Sequence, residues 1–578
     1  MNAKQRQQIK DNSYSDLIIH YHGDMNVFKK YPSGTINLLN TDFAILHVPS
    51  NLFTSNSISK FGYTSIPCLY SLQSSIPKIK EYVSEDIPDY TQNHKSFTGK
   101  DVLVGIIDTG IDYLSPLFLD NAGNTRIEVL WDQEVELNKP TETTFHYGTL
   151  FTEDEINLAL NSNDPNVIVP SLDSTGHGTM IAAIACGSKQ KELTYSGVAP
   201  DSKLAVVKLK PAKENLKEFR CVPKSSLAFQ ENDIMTAIVF LVEYAKSREL
   251  PISIVLGVGT SQGDHSGRGY LSTLINTYSA LPGVTITVPA GNESNRNHHY
   301  HAHLPSSSNG MNLCFHVAPE EDAFLVEVYN APPSNFTLNL VTPSNEIILT
   351  LEPSISENST TKIYHFDTTV IVNAFSKEDY VSLEQTLIIR LFHPIPGMWQ
   401  FVLRPDSGLD LDFHIWFPVK SFLKGNTYLC NGTNDVTITA PGNAEHAITV
   451  SAYNQKTDTL YLHASMGNTV INNSKPDISA PGVDITVPID PYYGYVAQGT
   501  SLASAYVGGV SALLYQWDKD MEYTVNFSGL QMKKALTYGA LRSPDMEYPN
   551  TSWGYGMVDV NKTLALLEKE LPKYPIKV

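Results

Sequence analysis

Hydrophobic positions follow three successive patterns along the chain. Residues 1–75 hold two short apolar runs, Leu17–Tyr21 and Phe43–Val48, then a polar stretch ending in Tyr70-Ser71-Leu72-Gln73. A unit this small struggles to hold a core alone. Over 76–305, continuous apolar runs (Val102–Ile107, Leu204–Leu209, Ile252–Leu256) alternate with helically spaced stretches, Ile234–Ala245 and Leu271–Leu281. Uninterrupted runs suit parallel strands buried on both faces, so the region predicts a doubly wound α/β sheet with helices on both faces. Over 306–434 the helical spacing disappears. Phe336–Leu340 alternates with period two, Trp399, Phe401 and Leu403 share one strand face, and Phe413, Ile415 and Phe417 share another. Roughly eight short strands between Pro, Asn and Ser turns predict a β-sandwich or jelly roll. The α/β pattern returns over 435–578 through Ala447–Ala452 and a helix beginning near Ser501. The β unit is therefore expected to be an insertion in the α/β unit, with a small α+β unit ahead of both.

Composition narrows the function classes. The 578 residues are 42% hydrophobic and only 17% charged, the mix of a folded chain. Sixty acidic against 41 basic residues give a net charge of -19, which argues against nucleic acid as the main partner. No run approaches the ~18 apolar residues of a membrane span. The basic start at Met1–Lys10 has no apolar stretch behind it, so no secretory signal is visible. The five cysteines, Cys68, Cys186, Cys221, Cys314 and Cys430, are scattered and odd in number, so no disulfide framework is expected.

Three segments carry candidate chemistry. Val104–Gly110 ends a buried strand on Asp108, Ser174–Thr179 presents His177 between two glycines, and Gly499–Ser504 presents Ser501 where a turn enters a helix. Taken singly, each has a plain structural explanation as a cap or a tight turn. Together, in the order Asp, His, Ser and each at an element edge, they predict a nucleophilic triad.

On these segments the chain resembles the subtilisin-like serine proteases. Gly197-Val198-Ala199-Pro200, Lys475–Gly482 and Val288-Pro289-Ala290-Gly291-Asn292 add to the resemblance. It implies a serine endopeptidase with Asp108, His177 and Ser501 as the triad and Asn292 in the oxyanion hole. Leu256-Gly257 and Ala290-Gly291 become the expected walls of the first specificity pocket. Met180, Leu502 and Ala505-Tyr506 depart from the family pattern around the triad, which affects subsite shape more than the reaction. Leu117 stands where relatives often place a structural calcium ligand, so no metal or other cofactor is expected.

The insertion between the oxyanion segment and the serine resembles the architecture of the Csp proteases of clostridial spores. That resemblance implies a prodomain over 1–75, cut autocatalytically and retained as a bound fragment, with Gln73 as the candidate cleavage site. It further implies a protein or peptide substrate, a cortex-hydrolase zymogen activated in germination, and a location in the spore or the mother-cell cytoplasm. A non-catalytic germinant sensor of the same family, or a general intracellular subtilase, are the alternatives. Two lesser signals remain. His298, His299, His301 and His303 cluster after the oxyanion segment, where 299, 301 and 303 would share a strand face; with no carboxylate at matching spacing, a packing role is expected. Gly257-Val258-Gly259 lacks the spacing of a dinucleotide loop.

Overall fold

A computed structural model of the protein describes residues 3–31, 34–83, 97–137, 145–190, 193–330, 333–352, 358–378, 383–406, 408–521 and 527–570. Its centre is a largely parallel sheet. Strands Ile448–Asn454, Val284–Pro289, Ile252–Leu256, Leu103–Asp108, Lys203–Lys208 and Ile127–Asp132 lie side by side in that order, all parallel. The apolar runs are buried on both faces, as their continuity predicts. Val104 and Ile106 pack with helices His177–Cys186 and Thr500–Asp520, whereas Leu103 and Ile107 face helices Glu231–Ser247 and Tyr270–Ser279. The chain fills one side of Leu103–Asp108 and then crosses to the other. Asp108, at the carboxyl end of that strand, therefore sits at the switch point where α/β sheets build their sites.

The β insertion forms a six-stranded and a five-stranded antiparallel sheet around one apolar core that includes Phe315, Phe324, Trp399, Phe401 and Phe413. Its first strand, His299–Leu304, begins a few residues before the boundary the hydrophobic pattern gives, because histidines carry no apolar signal. Against expectation, Cys314 and Cys430 are disulfide-bonded. They sit beside the paired residues Phe315 and Leu429, and Cys430 N–H donates to the Cys314 carbonyl at 2.9 Å. Far apart in sequence, they give no spacing signal. Cys68, Cys186 and Cys221 are buried free thiols.

The N-terminal unit is a three-stranded antiparallel sheet, Tyr14–His20, Phe43–Pro49 and Thr35–Leu38, in that order. Its apolar residues lack a private core. Leu17, Phe28 and Leu46 pack in one cluster with Leu216 and Phe219 of the α/β unit and with Phe375, Ile388 and Phe422 of the insertion or its exit. A buried polar contact fixes the docking: Asp16 lies 2.6 Å from both Lys213 Nζ and His47 Nδ1. Burial pushes the Asp16 carboxyl up, but Lys213 and His47 outweigh it and hold the group below its ordinary value. No helix among the described residues is long and apolar enough to cross a membrane.

Candidate active site

Three elements bring Asp108, His177 and Ser501 together. His177 opens a helix whose first turn meets the end of the Asp108 strand, and its Nδ1 lies 2.7 Å from Asp108 Oδ1. Its Nε2 lies 3.2 Å from Ser501 Oγ, in the first turn of Thr500–Asp520. The carboxylate accepts a hydrogen bond from Nδ1–H, which leaves Nε2 as the acceptor for the serine hydroxyl. All three side chains are fully buried. Gly257 is what lets the Asp–His pair form: a Cβ there would lie 2.0 Å from Asp108 Oδ2 and 3.0 Å from His177 Cε1.

Asp173 anchors the two halves of this pair, and no sequence signal marks it. Its Oδ1 accepts from the Thr109 hydroxyl (2.8 Å) and Gly176 N–H (3.0 Å), and its Oδ2 accepts from Thr179 N–H (2.9 Å) and the Thr179 hydroxyl (2.7 Å). Thr109 Oγ1 in turn accepts from Gly178 N–H at 3.0 Å. One carboxylate thus satisfies open N–H groups of the histidine helix while gripping the residue after Asp108.

Asn292 follows the strand Val284–Pro289. Thr500 N–H and the Thr500 hydroxyl both donate to its Oδ1 at 3.2 Å, and Gly291 N–H donates to Thr500 Oγ1 at 3.1 Å. With Oδ1 occupied by donors, the amide is oriented and its NH₂ end is the free donor.

The chain's own residues 69–75 fill the cleft over this site. Strand Leu69–Leu72 lies antiparallel between Phe229–Gln230 and Val258–Gly259, and the Glu231 carboxylate accepts Cys68 N–H at 3.0 Å. Burial pushes the Glu231 carboxyl up, and the Cys68 and Leu271 N–H groups oppose that shift. Gln73 N–H then donates to the Gly257 carbonyl (2.9 Å), and the Gln73 carbonyl accepts from Ser501 N–H (3.0 Å). At Gly499 a Cβ would fall 2.5 Å from that carbonyl oxygen, so only glycine admits the chain. Beyond the site, Ser75 N–H donates to the Gln498 carbonyl at 2.9 Å, and Lys78–Glu81 pairs with Tyr493–Ala497. The segment thus runs straight across the catalytic triad candidates, with the Gln73 carbonyl on the backbone N–H of Ser501.

The specificity walls differ in register from the sequence expectation. Gly257 touches the segment through its carbonyl, but Leu256 lies behind the slot: its side chain is in the core and its carbonyl accepts from the Ser504 hydroxyl at 3.2 Å. The pairing surface runs forward to Val258 and Gly259, because strand Ile252–Leu256 is still inside the sheet at Leu256. The Gln73 side chain is buried, and its Nε2 donates to the Gly259 carbonyl at 3.2 Å and the Ser71 carbonyl at 3.3 Å. Ala290 is buried; a Cβ on Gly291 would meet Thr439 Oγ1 and Ser465 Oγ, each at 2.6 Å.

The histidine cluster also differs from expectation: His298 finds a carboxylate five residues back, at Glu293, and tertiary pairing supplies those of His301 and His303. His298 Nδ1 lies 2.8 Å from Glu293, His301 Nδ1 lies 2.8 Å from Asp435, and His303 Nε2 lies 3.4 Å from Asp410. Burial pushes the His299 imidazole down to about 3 and that of His414, on the neighbouring strand, to about 2.

Comparison with known proteins places the chain among its relatives. Residues 99–313 and 423–557 match the subtilase family, peptidase S8, which leaves out much of the β insertion. Serine protease AprX of Bacillus subtilis is 30% identical over 154 residues, covering 23% of this chain and 33% of its own length. Subtilisin-like protease SBT1.9 of Arabidopsis thaliana is 32% identical over 125 residues, covering 19% of this chain and 16% of its own. The chain thus spans a third or less of these curated relatives. The solved structure of the Clostridium perfringens CspB protease superposes with a TM-score of 0.72 at 27% identity, covering 84% of this chain and 97% of that one. More than half of the chain matches the family, over a fold and a site of its type: the chain belongs to the subtilase family of serine peptidases.

Proposed function

We propose that the protein is a serine endopeptidase that first cuts its own chain between Gln73 and Ser74 and then acts on a protein substrate. The observation that carries this reading is the Gln73 carbonyl on Ser501 N–H at 3.0 Å, within the Asp108–His177–Ser501 hydrogen-bond chain. Ser501 Oγ attacks the Gln73 carbonyl carbon while His177 Nε2 takes its proton. Asp108 stabilises the imidazolium, and Ser501 N–H with the Asn292 amide holds the oxyanion. The Ser74 amine leaves with the proton from His177, and water hydrolyses the acyl-enzyme in the same way.

Residues 1–73 then form a prodomain that stays bound, since the shared apolar cluster and the Asp16–Lys213 contact do not depend on the cut bond. The substrate proposed is the zymogen of a cortex hydrolase in germinating spores. Likeness to the CspB protease over nearly the whole of that chain supports it, with the sequence resemblance to spore proteases. Two measurements test the reading. A fluorophosphonate should label the processed protein and not Ser501→Ala; labelling that persists in the variant sinks the nucleophile. The processed protein should cut a cortex-hydrolase zymogen that Ser501→Ala leaves whole. A zymogen untouched by active, self-cleaved protein refutes the germination role and leaves the peptidase standing.

A further inference from the structure

A second chemical site lies on the β insertion, and peptide hydrolysis does not use it. His301 pairs with His414 across adjacent strands, with ring centroids 4.1 Å apart and planes within 9°. Asp412, two residues before His414, places Oδ1 3.2 Å from His301 Nε2 and 3.9 Å from His414 Nε2. These three ligand atoms all lie within 4.8 Å of one another.

Contacts on the far side of each ring fix which nitrogen faces Asp412. Asp435 Oδ2 sits 2.8 Å from His301 Nδ1 and Asp412 Oδ1 3.2 Å from Nε2; ionised carboxylates only accept, so both ring nitrogens donate in the metal-free chain, and an ion would take the place of the Nε2 proton. His414 Nδ1 lies 3.0 Å from His299 Nε2, while His299 Nδ1 faces the Thr433 hydroxyl at 3.1 Å and Asp435 Oδ1 at 3.8 Å. A proton on His299 Nδ1, directed at the carboxylate, makes Nε2 an acceptor. His414 then donates from Nδ1, which leaves Nε2, 3.9 Å from Asp412 Oδ1, as the nitrogen able to ligate an ion. Two imidazole rings and one carboxylate thus gather at one place, with Asp435 and His299 behind the rings as the outer partners that metal-ligating histidines commonly have.

We propose that His301, His414 and Asp412 bind one divalent transition-metal ion of the zinc class, with water completing the coordination and with Asp435 and His299 as outer supports. Imidazole with carboxylate selects zinc-like ions over calcium or magnesium, which prefer all-oxygen sites. The His301 and Asp412 side chains are 32% and 51% exposed, so the ion enters from solvent. The site joins the strand that leaves the catalytic core after Asn292 to the strand and segment that return to it. Thr433 N–H donates to the His299 carbonyl at 2.7 Å, and Asn295 N–H donates to Asn434 Oδ1 at 2.8 Å. A bound ion therefore pins both necks of the insertion beside the oxyanion segment and stabilises the folded chain by mass action.

The test uses full-length Ser501→Ala, which stays in one piece, freed of metal with EDTA. It is titrated with Zn²⁺ against a chromophoric chelator and, separately, with Co²⁺ as a spectroscopic probe. The proposal expects one equivalent bound, with Co²⁺ visible bands and no sulfur charge-transfer band. His301→Ala and Asp412→Ala, both at partly exposed positions, should abolish binding, and Asp435→Asn should weaken it ~10- to 100-fold. His22→Ala disrupts the other His–Asp group, His20, His22 and Asp42, and should leave binding unchanged. Failure of the parent chain to compete for Zn²⁺ overturns the proposal whatever the variants do. So does binding that survives both ligand variants or that is lost with His22→Ala.

Discussion

Replacing Gln73 with methionine tests how the cleft reads the residue before the cut. The two side chains match in length, but methionine cannot donate. Gln73 is 2% exposed, and its Nε2 gives the Gly259 carbonyl its bond at 3.2 Å. The Ser71 bonds lie within the segment itself, so only the Gly259 bond is lost between cleft and peptide. The Gly259 carbonyl keeps its ladder partner, Ser71 N–H, so the loss is that of one neutral hydrogen bond, ~0.5–1.5 kcal/mol. A loss of that size in the transition state slows cleavage ~2- to 12-fold. Gln73→Glu should be slower still at pH 8, because an ionised carboxylate then faces two carbonyl oxygens. Its rate relative to the native chain should recover as pH falls, since the protonated acid can donate again. The assay is cell-free synthesis with timed sampling, gels for the extent of cutting and intact mass for its position. Methionine cut after residue 73 at the native rate, or glutamate as fast as glutamine at pH 8, refutes the assigned pocket.

Further predictions follow from the same geometry. Asn292→Ala removes one of two oxyanion donors and should slow self-cleavage ~10²- to 10³-fold; because Thr500 N–H also loses its acceptor, it should cost ~1–3 kcal/mol of stability as well, and a rate within threefold of native contradicts the role. Asp173→Ala leaves the helix N–H groups it satisfies without a partner and should destabilise the fold by ~1–3 kcal/mol, read from urea unfolding; an unchanged midpoint contradicts its anchoring. Burial lifts the Asp518 carboxyl to about 6, while Phe527 N–H opposes that shift. Its raised folded value means the stability it contributes is present below the unfolded value near 4 and is lost as pH rises through about 6. Asp518→Asn should therefore raise stability by ~1–3 kcal/mol above pH 6 and change little at pH 4. An equal effect at both pH values contradicts that assignment.

Much of the fold was legible because burial on two faces writes itself into continuous apolar runs such as Val102–Ile107. The triad candidates were legible because each stands at a strand or helix end with a glycine within two residues. What stayed hidden depends on which strands become neighbours. The slot register at Val258–Gly259 follows from where strand Ile252–Leu256 leaves the sheet, and no local pattern marks that point. Asp412 and Asp435 reach His301 only through strand pairing and a returning segment, so spacing along 298–303 could not reveal them. The Cys314–Cys430 bond depends on the same kind of long-range neighbourhood. Asp173 looked like any polar loop residue until the histidine helix was seen packed against the Asp108 strand.

Intact mass spectrometry of the purified chain beside Ser501→Ala tests the central claim most directly. The account predicts two co-purifying fragments from the native sequence, the larger beginning at Ser74, and one uncut chain from the variant. A native chain that remains whole under folding conditions, or a Ser501→Ala chain cut at the same bond, would contradict it.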